Sequence, residues 1–110
     1  MSKGYKIRAI IKRPDERYGH VTNISDTLKN LQKTVDGRTE VIQIAASTVI
    51  IKNRDDKIFD LPKNFKRGKW PVIETIRGTV AVVGIDGDGF CDCPISFKVW
   101  KQLLKEWGNE

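Results

Sequence analysis

The sequence predicts an α+β domain with a mainly antiparallel sheet of about five strands and two helices, in the order β-α-β-β-β-β-α. Two stretches, near residues 24–35 and 97–107, carry the apolar spacing of amphipathic helices. Short segments rich in β-branched residues lie between them. A doubly wound parallel sheet would need helical crossovers, and residues 45–77 contain no helix of adequate length.

The first strand is predicted over residues 5–11, where the side chains alternate with the period of two that is typical of a half-buried strand. The next residues, 12–19, include Pro14 and Gly19 together with charges of both signs. This composition predicts an exposed loop.

The first helix is predicted from apolar residues that recur at spacings of four, three and four, namely Ile24, Leu28, Leu31 and Val35. Asn23 or Ser25 is expected to cap its start, because either side chain accepts an otherwise unpaired backbone N–H. Gly37 is expected to be the left-handed residue that ends it.

Two adjacent antiparallel strands are predicted over residues 39–44 and 47–52, which are rich in β-branched residues. A polar turn at 53–56 follows them. A short third strand over 57–61 is expected to pair across this turn and to stop at Pro62, which cannot donate to a ladder.

Residues 62–71 contain two prolines, a glycine and four cations, and they predict an irregular loop. Residues 79–85 are almost continuously apolar, which favours a central strand covered on both faces. The acidic, glycine-rich residues 86–92 predict a turn.

The last helix is predicted from an apolar stripe made by Phe97, Trp100, Leu103, Leu104 and Trp107. Pro94 suits its entrance and Gly108 its exit. Two tryptophans on one stripe are typical of a core face, although Trp107, if exposed, would make an anchor for a partner protein.

The 110 residues are expected to form a single domain, 1–110, with a net charge of +6. The proportions of hydrophobic (39%) and charged (31%) residues exclude collagen-like and largely disordered chains. No apolar stretch reaches the roughly 20 residues of a membrane span, and the first 12 residues lack the apolar region of a secretory signal. Two cysteines cannot build a disulfide framework, so a cytoplasmic location is expected.

Three segments contain short motifs whose order and spacing are informative. The first matches a pattern LxxLQxxV followed by glycine, and it comprises Leu28, Leu31, Gln32, Val35, Gly37, Glu40 and Val41. The second comprises Lys57, Leu61, Pro62 and Asn64, and the third comprises Ile76, Gly78, Thr79 and Gly84. Together they resemble a domain-of-unknown-function family of small uncharacterised proteins, encoded mostly by bacteriophages, plasmids and conjugative elements. Asp36 and Asp56 stand where the family usually has glycine. The resemblance implies an α+β fold and an accessory role in the cytoplasm of a bacterial host cell.

The residues that catalysis by a nucleophile would need are sparse. The sole histidine, His20, is expected in an exposed loop, and no serine lies in a Gly-x-Ser-x-Gly elbow. We therefore expect no enzyme activity and no catalytic residue.

Metal and phosphate motifs are incomplete as well. Cys91 and Cys93 supply two thiolates without a second pair, whereas structural zinc needs four ligands. The residues 86–97 fail the calcium-loop pattern, because Phe97 stands where a bidentate Glu belongs, so a glycine-rich hairpin turn is favoured over a weak cation site. No Gly-Lys-Ser/Thr sequence follows the glycines after residue 84, which excludes a P-loop. The expectation is no metal and no cofactor.

The most suggestive segment is residues 61–77, which contains five cations and one acid and therefore a local charge of 5 − 1 = +4. Cations beside an aromatic ring can hold phosphates while the ring stacks on a base. The candidate ligand-binding residues are Lys63, Asn64, Arg67, Lys69, Trp70 and Arg77. The alternative is a solvated loop whose Phe65 and Trp70 are fixed in the core.

A second basic group lies on the first strand and its loop, and it would extend an anion-attracting face if the two groups converge: Lys3, Lys6, Arg8, Lys12, Arg13 and Arg17. Together these features indicate a non-enzymatic accessory binding protein of a phage or mobile element. Its expected partner is a host protein, such as a defence component, or a small phosphorylated ligand. The alternative is a nucleic-acid-binding protein that uses the segment 61–77. Under the preferred interpretation, DNA binding is expected to be only weak and salt-sensitive.

Overall fold

The computed structural model describes residues 5–109, and ten helices and strands follow one another along them. In chain order they are β1 (Lys6–Lys12), β2 (His20–Ser25), α1 (Leu28–Val35), β3 (Thr39–Ala45), β4 (Thr48–Asn53), β5 (Lys63–Lys69), β6 (Val72–Arg77), β7 (Val80–Asp86), β8 (Gly89–Cys91) and α2 (Phe97–Glu106). The α+β class, the two helices and the mainly antiparallel pairing are confirmed. The predicted order is too short, because β2, β5, β6 and β8 are additional strands.

The main sheet has six antiparallel strands in the order β2-β1-β7-β4-β3, with β8 paired to the end of β7. The strand β7 lies between β1 and β4, and its residues from Val80 to Gly84 are buried. This placement confirms the central strand that the apolar run predicts. The strands β5 and β6 form a separate two-stranded hairpin.

Each helix covers one face of the main sheet. On the first, here called the α1 face, Leu31 and Val35 pack over alternate residues of β1, β4 and β7. On the second, the α2 face, Trp100 and Leu104 pack over the intervening residues Ile10, Ile50 and Val82. The hairpin lies on the α2 face too, through Phe65 and Ile76. The alternation of side chains along the strands therefore divides the core into two layers.

The segment 20–25 is a strand, so the predicted helix start is wrong. Its residues pair with β1 in a continuous antiparallel register, with Ile24 opposite Ile7. Thr27 caps α1 by accepting the N–H of Asn30 at 3.3 Å, while Ser25 bonds the hydroxyl of Thr27. Ile24 belongs to the strand because its β-branched side chain packs against the core from β2.

The end of α1 also differs from the expectation. The left-handed residue is Asp36, with φ of 60°, and not Gly37. The buried Asn53 amide donates to the carbonyls of Val35 and Asp36, both at 3.1 Å. A side chain from β4 thus satisfies carbonyls that the helix end would leave unpaired.

Residues 57–61 form turns rather than the predicted strand, and residues 63–69 form β5 rather than an irregular loop. The first error arises because the buried Asp56 fixes the turn: its carboxylate accepts the N–H of Arg77 at 3.0 Å. The second arises because β5 has no β-branched residue, so its conformation depends on pairing with β6.

Within residues 5–109, no helix is long and apolar enough to cross a membrane.

The core position of Trp100 generates a stability prediction with a matched control. Trp100 is fully buried, and its indole N–H donates to the carbonyl of Tyr18 at 2.9 Å. The substitution Trp100→Ala should lower the free energy of unfolding by about 3–5 kcal/mol. Trp70→Ala removes the same side chain at an exposed position and should change it by less than about 0.5 kcal/mol. Urea unfolding measures both, and equal losses would contradict the fold.

Candidate functional site

The hairpin of β5 and β6 carries the candidate residues and is fixed to the body at its base. Phe65 lies opposite Ile76, and both side chains are buried. The Phe65 ring contacts Trp100 edge-on, with centroids 5.6 Å apart, and stacks on Trp107 at 6.1 Å. Aromatic pairs in these geometries add to the stabilisation by burial. The hairpin is therefore an ordered element held by α2.

A polar contact fixes the same base to β1. The Asn64 amide donates to the carbonyls of Lys12 and Gly78, at 2.9 and 2.8 Å, and its oxygen accepts from the Lys12 ammonium. The ammonium also donates to the Glu16 carbonyl at 2.8 Å. Burial lowers the pKa of Lys12, although the carboxylates of Glu16 and Asp15 oppose this effect. Asn64 thus has a structural role, with its hydrogen bonds made inside the molecule.

Asn109, near the C-terminal end of the chain, binds the backbone of β5 at Lys66. The side chain of Asn109 accepts the Lys66 N–H at 2.8 Å and donates to the Lys66 carbonyl at 2.7 Å. This pair imitates the bonds of a neighbouring strand. The edge of the hairpin is covered there, before its turn begins.

The two arginines of the candidate set are paired with carboxylates. Arg67 on β5 meets Glu74 on β6 at 2.7 Å, directly across the strands. Arg77 contacts Asp60 at 3.2 Å and donates to the Leu61 carbonyl at 3.1 Å. The local charge of +4 already subtracts Glu74, and Asp60 lowers it further to 4 − 1 = +3, so the charge that remains belongs to the three lysines and not to the arginines.

The end of the hairpin is apolar and exposed. We define the hairpin tip as residues 68–73, with Trp70 84%, Val72 78% and Ile73 47% exposed. Gly68 adopts φ of 103° and approaches the Val72 carbonyl oxygen so closely that a Cβ would clash with it. The exposed Lys69 precedes Trp70. The tip therefore presents apolar side chains at the end of an anchored hairpin.

The structure brings all six predicted residues onto this hairpin, but in different roles. Lys63, Lys69 and Trp70 are exposed, whereas Asn64, Arg67 and Arg77 are engaged inside the molecule. The alternative that placed both aromatic side chains in the core holds for Phe65 alone. The sequence analysis missed Val72 and Ile73. Their apolar side chains give no signal of exposure until the pairing of β5 with β6 is known.

The second basic group does not extend this surface. Among its described members, Arg8 donates to the carbonyls of Cys93 and Ile95, and Lys12 is buried against Asn64. Arg13 and Arg17 lie on the loop after β1, where Arg17 stacks over Tyr18. Lys3 lies outside the described residues. Within the described chain, Lys12 is the member that touches the hairpin.

The other residues that the sequence singles out have ordinary surroundings. His20 begins β2 rather than lying in a loop, and Nδ1 of its ring lies 2.7 Å from Glu16. The turn between β7 and β8 is the expected glycine-rich hairpin turn, and Asp92 accepts the Arg8 N–H at 2.7 Å. Trp107 is half-buried against Trp100 and Phe65. The tryptophan that is exposed is therefore Trp70, and not Trp107.

The fold and this surface define a small α+β protein that presents an anchored hairpin with an apolar tip. The chain belongs to a family described as a domain of unknown function, DUF3846, whose model matches residues 7–105. The resemblance carried by the three sequence segments is confirmed at this level. No curated protein and no solved structure is significantly similar to the chain.

The role of Asn64 can be tested against its exposed neighbour. Asn64→Ala should lower the free energy of unfolding by about 1–3 kcal/mol, because the carbonyl of Gly78 and the Lys12 ammonium lose a partner in a buried region. Lys63→Ala should cost less than about 0.5 kcal/mol. Urea unfolding of the two variants measures both changes. If Asn64→Ala left the free energy of unfolding unchanged, the base of the hairpin would be open to water.

The cysteines should react at different rates. Cys93 is 5% exposed, and burial raises the pKa of its thiol, which lowers its thiolate fraction near pH 8. Cys91 is only half-buried. Mass spectrometry during alkylation should show one fast modification, at Cys91, and a second that requires urea. Fast modification of both thiols in native protein would contradict the packing around Cys93.

Proposed function

We propose that the chain is a non-enzymatic binding protein that captures a partner protein with the hairpin tip. The exposure of Trp70, Val72 and Ile73 on an anchored hairpin is the observation that carries the proposal. Tryptophan is enriched among the residues that dominate binding energy at protein interfaces. A rigid hairpin loses little conformational entropy on binding, which favours affinity.

The charges around the tip indicate the chemistry of the partner surface. Lys66 and Lys69 are exposed, and neither forms an ion pair within residues 5–109. Arg67 is already paired with Glu74. The expected partner therefore offers an apolar cleft for Trp70 with carboxylates at its rim, since complementary rim charges accelerate association.

We also propose that the protein originates from a mobile genetic element. The resemblance to phage, plasmid and conjugative-element proteins supports an origin in a mobile element. An accessory protein of such an element acts on components of its bacterial host, in the cytoplasm. We place the partner among host proteins, with a defence component as the favoured case.

A small phosphorylated ligand fits the hairpin less well than a protein does. The concavity beside the tip is lined by Arg67, Gly68, Val72 and Glu74. Its one guanidinium is paired with the Glu74 carboxylate at 2.7 Å. A phosphate at that point would have to displace or adjoin a carboxylate.

Nucleic acid is the second candidate, favoured by the shape of the hairpin. Two-stranded ribbons enter DNA grooves, and apolar side chains at a ribbon end can wedge between base steps. Lys63, Lys66 and Lys69 would then contact phosphates. Two or three such contacts imply an affinity loss of about 12- to 40-fold between 50 and 200 mM salt. Apolar contacts with a protein imply a much smaller loss.

The experiment is a capture from nuclease-treated lysate of the host bacterium, with the wild-type chain, Trp70→Ala and Val21→Ala. Val21 is 44% exposed on β2, outside the hairpin, and serves as the matched apolar control. A protein retained by wild type and Val21→Ala, and lost with Trp70→Ala, is then purified. Its affinity should fall at least tenfold with Trp70→Ala, as removal of a dominant interface aromatic implies.

Two results would contradict the proposal. Retention that is equal for Trp70→Ala and wild type would show that the tip is not the contact surface. Submicromolar binding to duplex DNA at physiological salt, lost with Lys66→Glu and Lys69→Glu, would establish the nucleic-acid function instead.

A further inference from the structure

A groove of about 450 Å³ lies on the α1 face, between α1 and β2, and we call it the α1 groove. It exists because α1 has only eight residues and packs through Leu31 and Val35 over the middle of the sheet. The edge strand β2 is left uncovered, and His20, Thr22 and Ile24 form the floor. The volume lies within the range typical of small-molecule sites.

The α1 groove is lined by two cationic groups, and the Glu16 carboxylate beside it is bonded to the His20 ring and to the Arg13 backbone rather than to either of them. Arg13 lines it from the loop after β1, and Lys33 lines it from the last turn of α1. Within the described residues neither side chain forms an ion pair, and no lining residue is an Asp or Glu. Two like charges on the walls of one concavity repel each other and attract an anion between them.

His20 adds a ring nitrogen on the floor. Its Nδ1 lies 2.7 Å from the Glu16 carboxylate, which also accepts the Arg13 N–H at 2.9 Å. Burial raises the pKa of Glu16, but the hydrogen bonds from Arg13 and His20 outweigh it, so this pKa lies below its ordinary value. The charged carboxylate orients the ring through Nδ1. Nε2 is left for a ligand, and in the imidazolium form it donates to an anion.

The wall formed by α1 offers acceptors. The Thr34 hydroxyl donates to the Asn30 carbonyl at 2.9 Å, and the Asn30 amide donates to the Ser25 carbonyl at 3.2 Å. The Thr34 donor is used, and one of the two N–H groups of the Asn30 amide is used, so the wall offers the Thr34 and Asn30 side-chain oxygens as acceptors and the second Asn30 N–H as a donor. Two acceptors beside one donor suit hydroxyl groups of a ligand, which both donate and accept, better than a second anionic group.

We propose that the α1 groove binds a small phosphate monoester with a hydroxyl-bearing body, as in a sugar phosphate. The phosphate lies between Arg13, Lys33 and His20, and the hydroxyl groups donate to the α1 wall. The site is separate from the hairpin tip, so this proposal can be tested independently of the proposed protein partner.

The test titrates the full chain with ribose 5-phosphate, ribose and inorganic phosphate at fixed salt, by calorimetry and by NMR. The chain has one histidine, so its imidazole signal reports on the groove without ambiguity. The variants are Arg13→Gln and Lys33→Gln. The matched control is Lys29→Gln, which removes the same charge from an exposed position of α1 outside the groove.

Ribose 5-phosphate should shift the His20 signal and bind more tightly than inorganic phosphate, while ribose should not bind. Each groove variant should weaken binding at least about tenfold, the loss expected for one charge-assisted hydrogen bond. Lys29→Gln and Trp70→Ala should leave the affinity within about twofold. Urea midpoints verify that each variant is folded.

Several results would overturn the proposal. An unmoved His20 signal at millimolar ribose 5-phosphate excludes the site, and an equal loss with Lys29→Gln reduces it to general charge attraction. If inorganic phosphate binds as tightly as ribose 5-phosphate, the groove recognises the phosphate alone and not a hydroxyl-bearing body. Duplex DNA that binds through Arg13 and Lys33, when ribose 5-phosphate does not, assigns the groove to nucleic acid.

Discussion

The packing of Phe65 against Trp100 and Trp107 is the interaction on which the presentation of the hairpin depends. An isolated two-stranded hairpin is marginally stable in water. Phe65 and Ile76 insert from the hairpin into the same core layer as α2, so hairpin and helix stabilise each other. Asn64 and Asn109 then hold the two sides of the base. Because the base is fixed at three places, the apolar tip is held away from the body rather than collapsing onto it.

The distribution of cations follows from the same architecture. Lys12 and Lys52 are almost fully buried, with their ammonium groups bonded to carbonyls and carboxylates that join neighbouring elements. Arg67 and Arg77 hold carboxylates beside the hairpin. The count of 20 Lys and Arg residues therefore overstates the number of cations available to a ligand. Among the exposed cations, those of the hairpin and those on the walls of the α1 groove belong to surfaces that differ in kind: one is projecting and apolar, the other is concave and polar.

The sequence predicts the parts of the fold that local pattern determines. The apolar run of β7 and the stripe of α2 specify their elements by themselves, because burial of a strand on two faces leaves a continuous apolar run and burial of a helix on one face leaves a helical period. The strand β2 escapes prediction because Ile24 also fits the helical spacing of α1, and β5 escapes it because its partner β6 is not predicted either. The sequence predicts which segment carries the candidate site, but not which of its residues are exposed and which are engaged inside the molecule. No local pattern distinguishes the exposed Trp70 from the buried Phe65, or shows that Arg67 meets Glu74 across a hairpin.

Amide hydrogen exchange by NMR tests most directly whether the hairpin is an anchored element rather than a mobile loop. The account predicts that amides of β5 and β6 are protected in the wild-type chain. In Phe65→Ala they should lose protection, while amides of β1, β4 and β7 retain more of theirs, because local opening of the hairpin leaves the six-stranded sheet paired. Hairpin amides that exchange in the wild-type chain as fast as those of an unfolded peptide would contradict the account.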